Sequence, residues 1–245
     1  MNTFKVATYN IHKGVQGLGL ARRLEIHNLG HAVEMLDADV VCLQEVRAFN
    51  HVQAKRFKHW PQMGQADFLA PEGYAAVYRT NAVTRHGEHG NALLSRWPVL
   101  AQSHENISDH RFEQRGLLHV TLQVQARHLH VIVVHLGLLH RSRVRQVAQL
   151  QNYIARQIPS EAPLVVAGDF NDWGQTVTRM MTAFGCQTDE AAPLRTFPSR
   201  LPMAQLDHVY VRGLRVVHRF VPQGRMWSRL SDHLPLLVEL AWEGE

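Results

Sequence analysis

With 245 residues, 45% of them hydrophobic and 19% charged, the chain has the composition of a globular protein with a real core. No run of roughly 18 apolar residues occurs, so a membrane-spanning helix is not expected. The formal charge of +5 comes mainly from arginine, whose forked guanidinium suits phosphate oxygens; a plain basic surface is the other reading.

Residues 4–11 read as a strand ending at Asn10, followed by the glycine-containing loop His12-Lys13-Gly14. Within 22–36, Ile26, Leu29, Val33 and Leu36 recur at helical spacing, so one face of that helix packs on a sheet. Asp37-Ala38-Asp39 turns the chain into an apolar strand, Val40-Val41-Cys42-Leu43, which runs out at Gln44-Glu45-Val46. A glutamate directly behind an apolar strand is poor core material. A solvent-facing strand end is the alternative.

From 47 to 87 the pattern weakens to loop with short helical or strand pieces, 74–78 being a weak strand. Residues 90–95 and 97–102 read as a hairpin turning at Arg96, and 103–114 as a surface loop leading to Arg115-Gly116. Residues 118–125 alternate apolar and polar, as a half-buried antiparallel strand does. A buried strand at 129–134 runs out at His135. The basic helix behind it turns Val147, Leu150, Ile154 and Ile158 to the sheet and holds Arg141, Arg143 and Arg145 in its first turns. After a strand at 164–169 and a short helix near 176–184 come a strand through Asp207 to Val211 and a hairpin partner at 214–221. Asp232-His233 opens the last strand, to 241. No linker or repeat divides residues 1–245, and one domain is expected. Cys42 and Cys186 sit in apolar contexts, and residues 1–6 lack the pattern of a secretory leader. A reduced, cytoplasmic setting and a monomer are the expectations.

Chemistry concentrates behind the apolar run 164–167. It breaks at Gly168 and delivers Asp169 and Asn171 two residues apart, so in extended backbone both side chains project to one side. Such a pair at a strand end suits a divalent cation and an anionic oxygen; an Asx turn would use the same residues. Asn10, Glu45, His135, Asp169 and Asp207 each terminate an apolar strand, and with Asp232-His233 these ends can meet along one rim. Hard oxygens hold Mg²⁺ or Mn²⁺, while imidazoles and amides handle protons and oxyanions. No Ser or Cys is placed with a base, which leaves water as the attacker. Among 17 histidines only His128-x-His130, at the start of a strand, has zinc-type spacing; surface residues are the plainer reading.

Together, Thr8-Tyr9-Asn10-Ile11, Leu43-Gln44-Glu45-Val46, Gly90-Asn91-Ala92-Leu93-Leu94-Ser95, Val134-His135-Leu136, Gly168-Asp169-Phe170-Asn171, Leu206-Asp207-His208-Val209 and Ser231-Asp232-His233-Leu234-Pro235 resemble the endonuclease/exonuclease/phosphatase superfamily. The likeness spans nearly the whole chain in the family's order. It implies an α/β fold, a four-layered α/β sandwich of two mixed β-sheets packed face to face with helices outside. It implies Glu45 as principal metal ligand with Asn10 beside it, and Asp232 at the metal or at a second ion. Asp169 would orient or deprotonate the attacking water, Asn171 would hold the phosphate oxygen, and His233, fixed by Asp207, would contact the scissile phosphate. His135 matches the branch with a second histidine, for which Glu88 is a possible orienting carboxylate. Arg115 matches a family arginine near the phosphate, although a surface arginine fits as well.

The reading from sequence is therefore an Mg²⁺-dependent phosphodiesterase, with Mn²⁺ as a possible substitute. Nucleic acid is the expected substrate, on the strength of the basic charge and of Arg141, Arg143 and Arg145. Phospholipid head groups or a small phosphate ester form the alternative. Trp173, Trp227 and Arg225 are either loop packing or stacking groups for a base or head group.

Overall fold

The computed structural model describes residues 3–17, 19–188 and 192–244. Its first half runs β1 (Thr3–Asn10), β2 (Val15–Gln16), β3 (Arg23–Leu24), α1 (Ile26–Leu36), β4 (Val40–Val46), α2 (His51–Arg56), α3 (Gln65–Leu69), β5 (Ala75–Thr84), β6 (Gly87–Ser95) and β7 (Val99–Asn106). The second half runs β8 (Gly116–Val124), β9 (Arg127–His135), α4 (His140–Gln157), β10 (Leu164–Asp169), α5 (Thr176–Ala183), β11 (Asp207–Arg212), β12 (Leu214–Phe220), α6 (Trp227–Leu230) and β13 (Leu236–Trp242).

Two mixed sheets result, one in the order β12-β13-β1-β4-β6-β5 and the other β11-β10-β9-β8-β7. Period-two alternation gives each strand two apolar faces, and each face finds a layer. Val6, Cys42 and Leu93 of the first sheet meet Leu118, Val131 and Val165 of the second in the central core. Tyr9, Val41 and Leu43 face outward against Ile26, Leu29 and Val33 of α1 and Leu230 of α6. On the other side Ile132, Val134 and Val166 pack against Val147, Leu150 and Ile154 of α4 and Met181 of α5. The four-layered sandwich that the motifs imply is the fold observed.

Several elements differ from their sequence reading. The first helix starts at Ile26 because Arg23–Leu24 pairs with Val15–Gln16, and the Glu25 N–H donates to the Gly14 carbonyl at 2.9 Å. The weak strand near 74–78 is the start of a ten-residue strand that pairs with β6, and the strand after Pro98 extends to Asn106. Neither expected hairpin forms. β6 pairs with β4 and β5 in the first sheet, whereas β7 pairs with β8 in the second. Arg96, bonded to Asp37 and Asp39 at 2.9 Å each, anchors that crossing, and Trp97 stands edge-on to Phe4. The chain crosses back at Gly213, with φ +66, so β11 lies beside β10 and β12 beside β13. A short connection with turn residues serves a corner between sheets as well as a hairpin.

Register positions the site. β1 is parallel to β4, so Asn10 and Glu45 emerge at one end of the first sheet. β9 is parallel to β10, with His135 opposite Asp169. Asp207 begins its strand instead of ending it; because β11 runs antiparallel to β10, it still stands opposite Asp169.

Candidate active site at the rim of the two sheets

These ends meet around one oxygen. Asp169 Oδ2 accepts a hydrogen bond from Asn10 Nδ2 at 3.1 Å, and the Nε2 atoms of His135 and His233 each lie 3.5 Å from it. Asp169 Oδ1 accepts the Asn171 backbone N–H at 3.0 Å, which is the Asx turn foreseen as an alternative. Turn and site are thus the same structure. On the far side of His233, Nδ1 lies 2.8 Å from Asp207 Oδ2, with both side chains buried. Asn171, left-handed at φ +50, donates from Nδ2 to the Leu136 carbonyl at 3.0 Å and keeps a second amide hydrogen for another acceptor.

Glu45 is aimed by its backbone. It has φ +57, where the register of β4 against β6 slips between Leu43 and Val46. A bulge of this kind redirects a side chain, and a non-glycine residue held there is strained locally. Its carboxylate reaches Asn10 Nδ2 at 3.5 Å and Lys13 Nζ at 2.6 Å. Lys13 follows His12 in a left-handed turn that ends at Gly14, and His12 Nδ1 lies 3.2 Å from Asp232 Oδ2. Ser231 ties the last loop down by donating to the Asn10 carbonyl at 2.6 Å.

The two imidazoles are pushed in opposite directions. Burial opposes charge on His233, but Asp207, Asp169 and Asp232 outweigh it and push the ring up to about 10. Burial, reinforced by Arg115, pushes His135 down to about 3. At neutral pH one ring is a cation and the other is neutral, the pattern that separates acid from base roles. Burial pushes the Asp169 carboxyl up against the pull of His233. Burial would also raise Glu45, yet Lys13 holds it well below the usual carboxylate range.

The donors suit a hard cation. Glu45, Asp232 and Asn10 offer oxygens, and each carboxylate already faces a basic side chain from the 12–13 turn. Glu45 Oε2 is buried and makes no well-aligned hydrogen bond beyond that ion pair. Asp169, Asp207 and His233 also bring ligand atoms within 4.8 Å of one another, but Asp207 and His233 already satisfy each other, which makes that set the poorer cation site.

Not every expected residue belongs to the cluster. Among the described residues no hydrogen bond or ion pair joins Glu88 to His135, whose Nε2 lies 3.5 Å from Asp169 Oδ2. Arg115 pairs with Glu113 at 3.1 Å while its buried Nε has no partner. The arginine trio is not a free basic patch. Arg143 is buried and donates to the Gly137 and Leu138 carbonyls, and Arg145 pairs with Asp109. Trp227 is buried packing, whereas Trp173 is 61% exposed and edge-on to Phe197, which in turn lies against the His233 ring. Sequence reasoning gave no role to His12, Lys13 or Asn91. Asn91 is fully buried and bridges the sheets through the Gly116 and Val133 carbonyls. The signal for the first two was a glycine-limited turn directly behind a functional strand end.

The pattern that defines the "Endonuclease/Exonuclease/phosphatase family" matches residues 7–233. The chain belongs to that family. The protein YbhP of Escherichia coli (strain K12) is 36% identical over 247 residues, covering 97% of this chain and 96% of YbhP. Among solved structures, an endonuclease/exonuclease/phosphatase from Beutenbergia cavernae DSM 12333 superposes with a TM-score of 0.75 at 19% identity, covering 100% of this chain and 72% of that one. The mannosyl-6-phosphatase Bt3783 of Bacteroides thetaiotaomicron VPI-5482 gives a TM-score of 0.75 at 18% identity, over 98% of this chain and 100% of its own. Members of the family are phosphoester hydrolases, and these likenesses place the fold within it. Among the described residues, no helix is long and apolar enough to cross a membrane.

Proposed function

We propose that this chain hydrolyses phosphodiester bonds with a divalent cation, Mg²⁺ or Mn²⁺, and water as the nucleophile. The observation that carries the reading is the convergence of Asn10 and the His135 and His233 rings on Asp169 Oδ2. Glu45, Asp232 and Asn10 would hold the cation, which when bound polarises a phosphate oxygen and offsets its charge.

Asp169 takes the proton of the attacking water, and burial makes its carboxylate a stronger base for that task. His233 donates from Nε2 to a non-bridging phosphate oxygen, its ring locked by Asp207. His135 orients the water or the leaving oxygen as a neutral ring, and Asn171 offers its spare amide hydrogen to the phosphate. Arg115 adds positive charge beside His135.

One observation favours a compact ester over a long polyanion as substrate. Arg143 is buried on two backbone carbonyls, and Arg145, though exposed, is held in an ion pair with Asp109. A cavity of about 620 Å³ lined by Trp173, Thr178, Met203, Gln205 and His208 opens behind the Asn171 loop. The Bacteroides neighbour named for mannosyl-6-phosphate shows the same fold serving a sugar phosphate. The test is a panel of a small chromogenic phosphodiester, sugar phosphates, DNA and RNA, each with Mg²⁺, Mn²⁺ and excess chelator. Metal-dependent turnover that Asp169→Asn abolishes supports the reading. Turnover indifferent to chelator or to that substitution overturns it.

A further inference from the structure

Three connections meet beside His135 at the rim. One is the turn between β5 and β6. Gly90 pairs with Val46, next to Glu45, so Gly87 and the turn before it reach roughly 10 Å past that register at three residues of extended strand. The 107–115 loop that enters β8 is the second, and residues 136–141 behind His135 are the third. Gln114 Oε1 accepts the Val83 backbone N–H at 2.9 Å, and Glu113 Oε1 accepts that of Leu138 at 3.1 Å, so the three form one surface.

Each connection turns apolar side chains out to solvent. Val83 is 69% exposed, Phe112 83%, Leu138 66% and Leu139 60%. An apolar residue exposed singly is ordinary, but four on neighbouring, tied segments make a patch. Each segment also carries an exposed arginine within two residues of its apolar group: Arg85, Arg111 and Arg141. The Arg111 guanidinium lies 4.7 Å from the Phe112 ring centroid, and among the described residues neither Arg85 nor Arg141 has an ion-pair or hydrogen-bond partner. The carboxylates of the same segments are already neutralised, Asp109 by Arg145 and Glu113 by Arg115. The surface is therefore apolar and positively charged at once.

That combination suits the head-group zone of an anionic bilayer, where apolar side chains reach the acyl boundary and guanidinium groups meet phosphates. Single-stranded nucleic acid suits it less, because Val83, Leu138 and Leu139 offer no ring to stack on a base. A second copy suits it less too, since a symmetric dimer sets the same arginines against one another.

We propose that these three segments dock the protein on an anionic lipid surface. Docking there brings the rim to the phosphodiesters of lipid head groups. That choice of substrate rests on the hydrolysis proposed above; the docking does not.

The test is sedimentation of the full chain with phosphatidylglycerol vesicles and with phosphatidylcholine vesicles, in chelator so that binding is read without turnover. Binding to the anionic vesicles is expected, weakened by salt and about tenfold or more weaker on the neutral ones. Arg85→Gln, Arg111→Gln and Arg141→Gln together should weaken it by about fivefold per arginine, and Phe112→Ser with Leu139→Ser by about tenfold or more. Melting temperatures and turnover of a small soluble phosphodiester should stay native in both variants. With Mg²⁺ restored, head-group release from the vesicles should fall as binding falls. Vesicle binding without head-group release overturns the lipid-borne substrate and leaves the docking intact. Indifference to lipid charge, binding that survives both variants, tighter binding to single-stranded DNA, or a dimer that the serine variant dissolves overturns the docking.

Discussion

His233 and Asp207, 26 residues apart in the chain, form a buried pair with Nδ1 2.8 Å from Oδ2. Asp207 opens β11 opposite Asp169, and His233 sits in the loop that enters β13, so the pair links the second sheet to a loop entering the first. Its geometry leaves a single ring nitrogen, Nε2, to face the reacting centre.

Asp207→Asn keeps the shape and removes the charge. The His233 ring should lose its proton at lower pH and lose its fixed orientation. Turnover should fall by roughly 10²- to 10⁴-fold, with KM changed far less, and the alkaline limb of the rate profile should move to lower pH. A profile that superposes on the native one would reduce the pair to a structural tie.

Glu45→Gln tests the cation position. The oxygen ligand stays but its charge goes, and Lys13 loses its ion-pair partner. The Mg²⁺ concentration needed for half-maximal rate should rise by about tenfold or more, in the range found when metal-site partners are removed. Mg²⁺ should raise the melting temperature of the native chain and leave that of this variant nearly unchanged. Native Mg²⁺ dependence in this variant would place the cation elsewhere.

Much of this site was legible because its residues break a simple rule. Glu45 and Asp169 are carboxylates set directly behind apolar runs, where burial without a partner is costly. Pairing partners were not legible. Residues 97–102 and 214–221 carry the same alternation whether they fold back on the preceding strand or cross to the other sheet, and register against a distant strand is not a local property. The fate of Arg143 was present in the helix pattern but unread. It lies four, seven and eleven residues before Val147, Leu150 and Ile154, on the face that the sheet covers. Gly14 marks a turn behind Asn10, but that His12 and Lys13 are themselves left-handed, and so aimed at Asp232 and Glu45, is set by the folded backbone.

Acid should cost this protein stability through His208, which is 8% exposed, stacks on Tyr210 and is pushed by burial down to about 4 from an ordinary value of 6.5. A ring depressed in the folded state binds its proton more readily when unfolded. Its contribution is therefore complete above the ordinary value and lost as pH falls towards about 4, at most about 3 kcal/mol. His233 has the opposite sign: raised to about 10, it stabilises fully below 6.5 and that contribution fades as pH climbs through 10. Urea unfolding at about pH 7.5 and about pH 5 should show a large drop in the native chain and a clearly smaller one in His208→Phe. Equal drops would mean that other groups carry the acid sensitivity.

Gly168→Ala should damage fold and site together. A Cβ there would overlap the Val134 carbonyl oxygen, in the register that sets Asp169 opposite His135. The two parallel strands must part or twist, at a cost of several kcal/mol by the scale of forced backbone clashes. A soluble variant with native melting temperature and native rate would show that the close approach does not matter.

The last expectation concerns how the substrate is gripped. Replacing Arg141, Arg143 and Arg145 together would remove three cations from a true polyanion site and lower the salt slope by about three phosphate contacts. The structure predicts otherwise. Arg145 is held by Asp109, whose carboxylate also accepts from Ser142, so the pair fastens the 107–115 loop to α4. Arg143 holds the Gly137 and Leu138 carbonyls just behind His135, and Arg143→Ala should cost about 1–3 kcal/mol by leaving those carbonyls unpaired. Arg141 and Arg145 are both exposed, but of the two it is Arg145 that is held in an ion pair. Arg141→Ala with Arg145→Ala should therefore lower the slope for DNA by at most about one contact, while turnover of a small phosphodiester stays near native. A fall of about two contacts would show that Arg145 leaves Asp109 for phosphate, and would restore nucleic acid as the leading substrate.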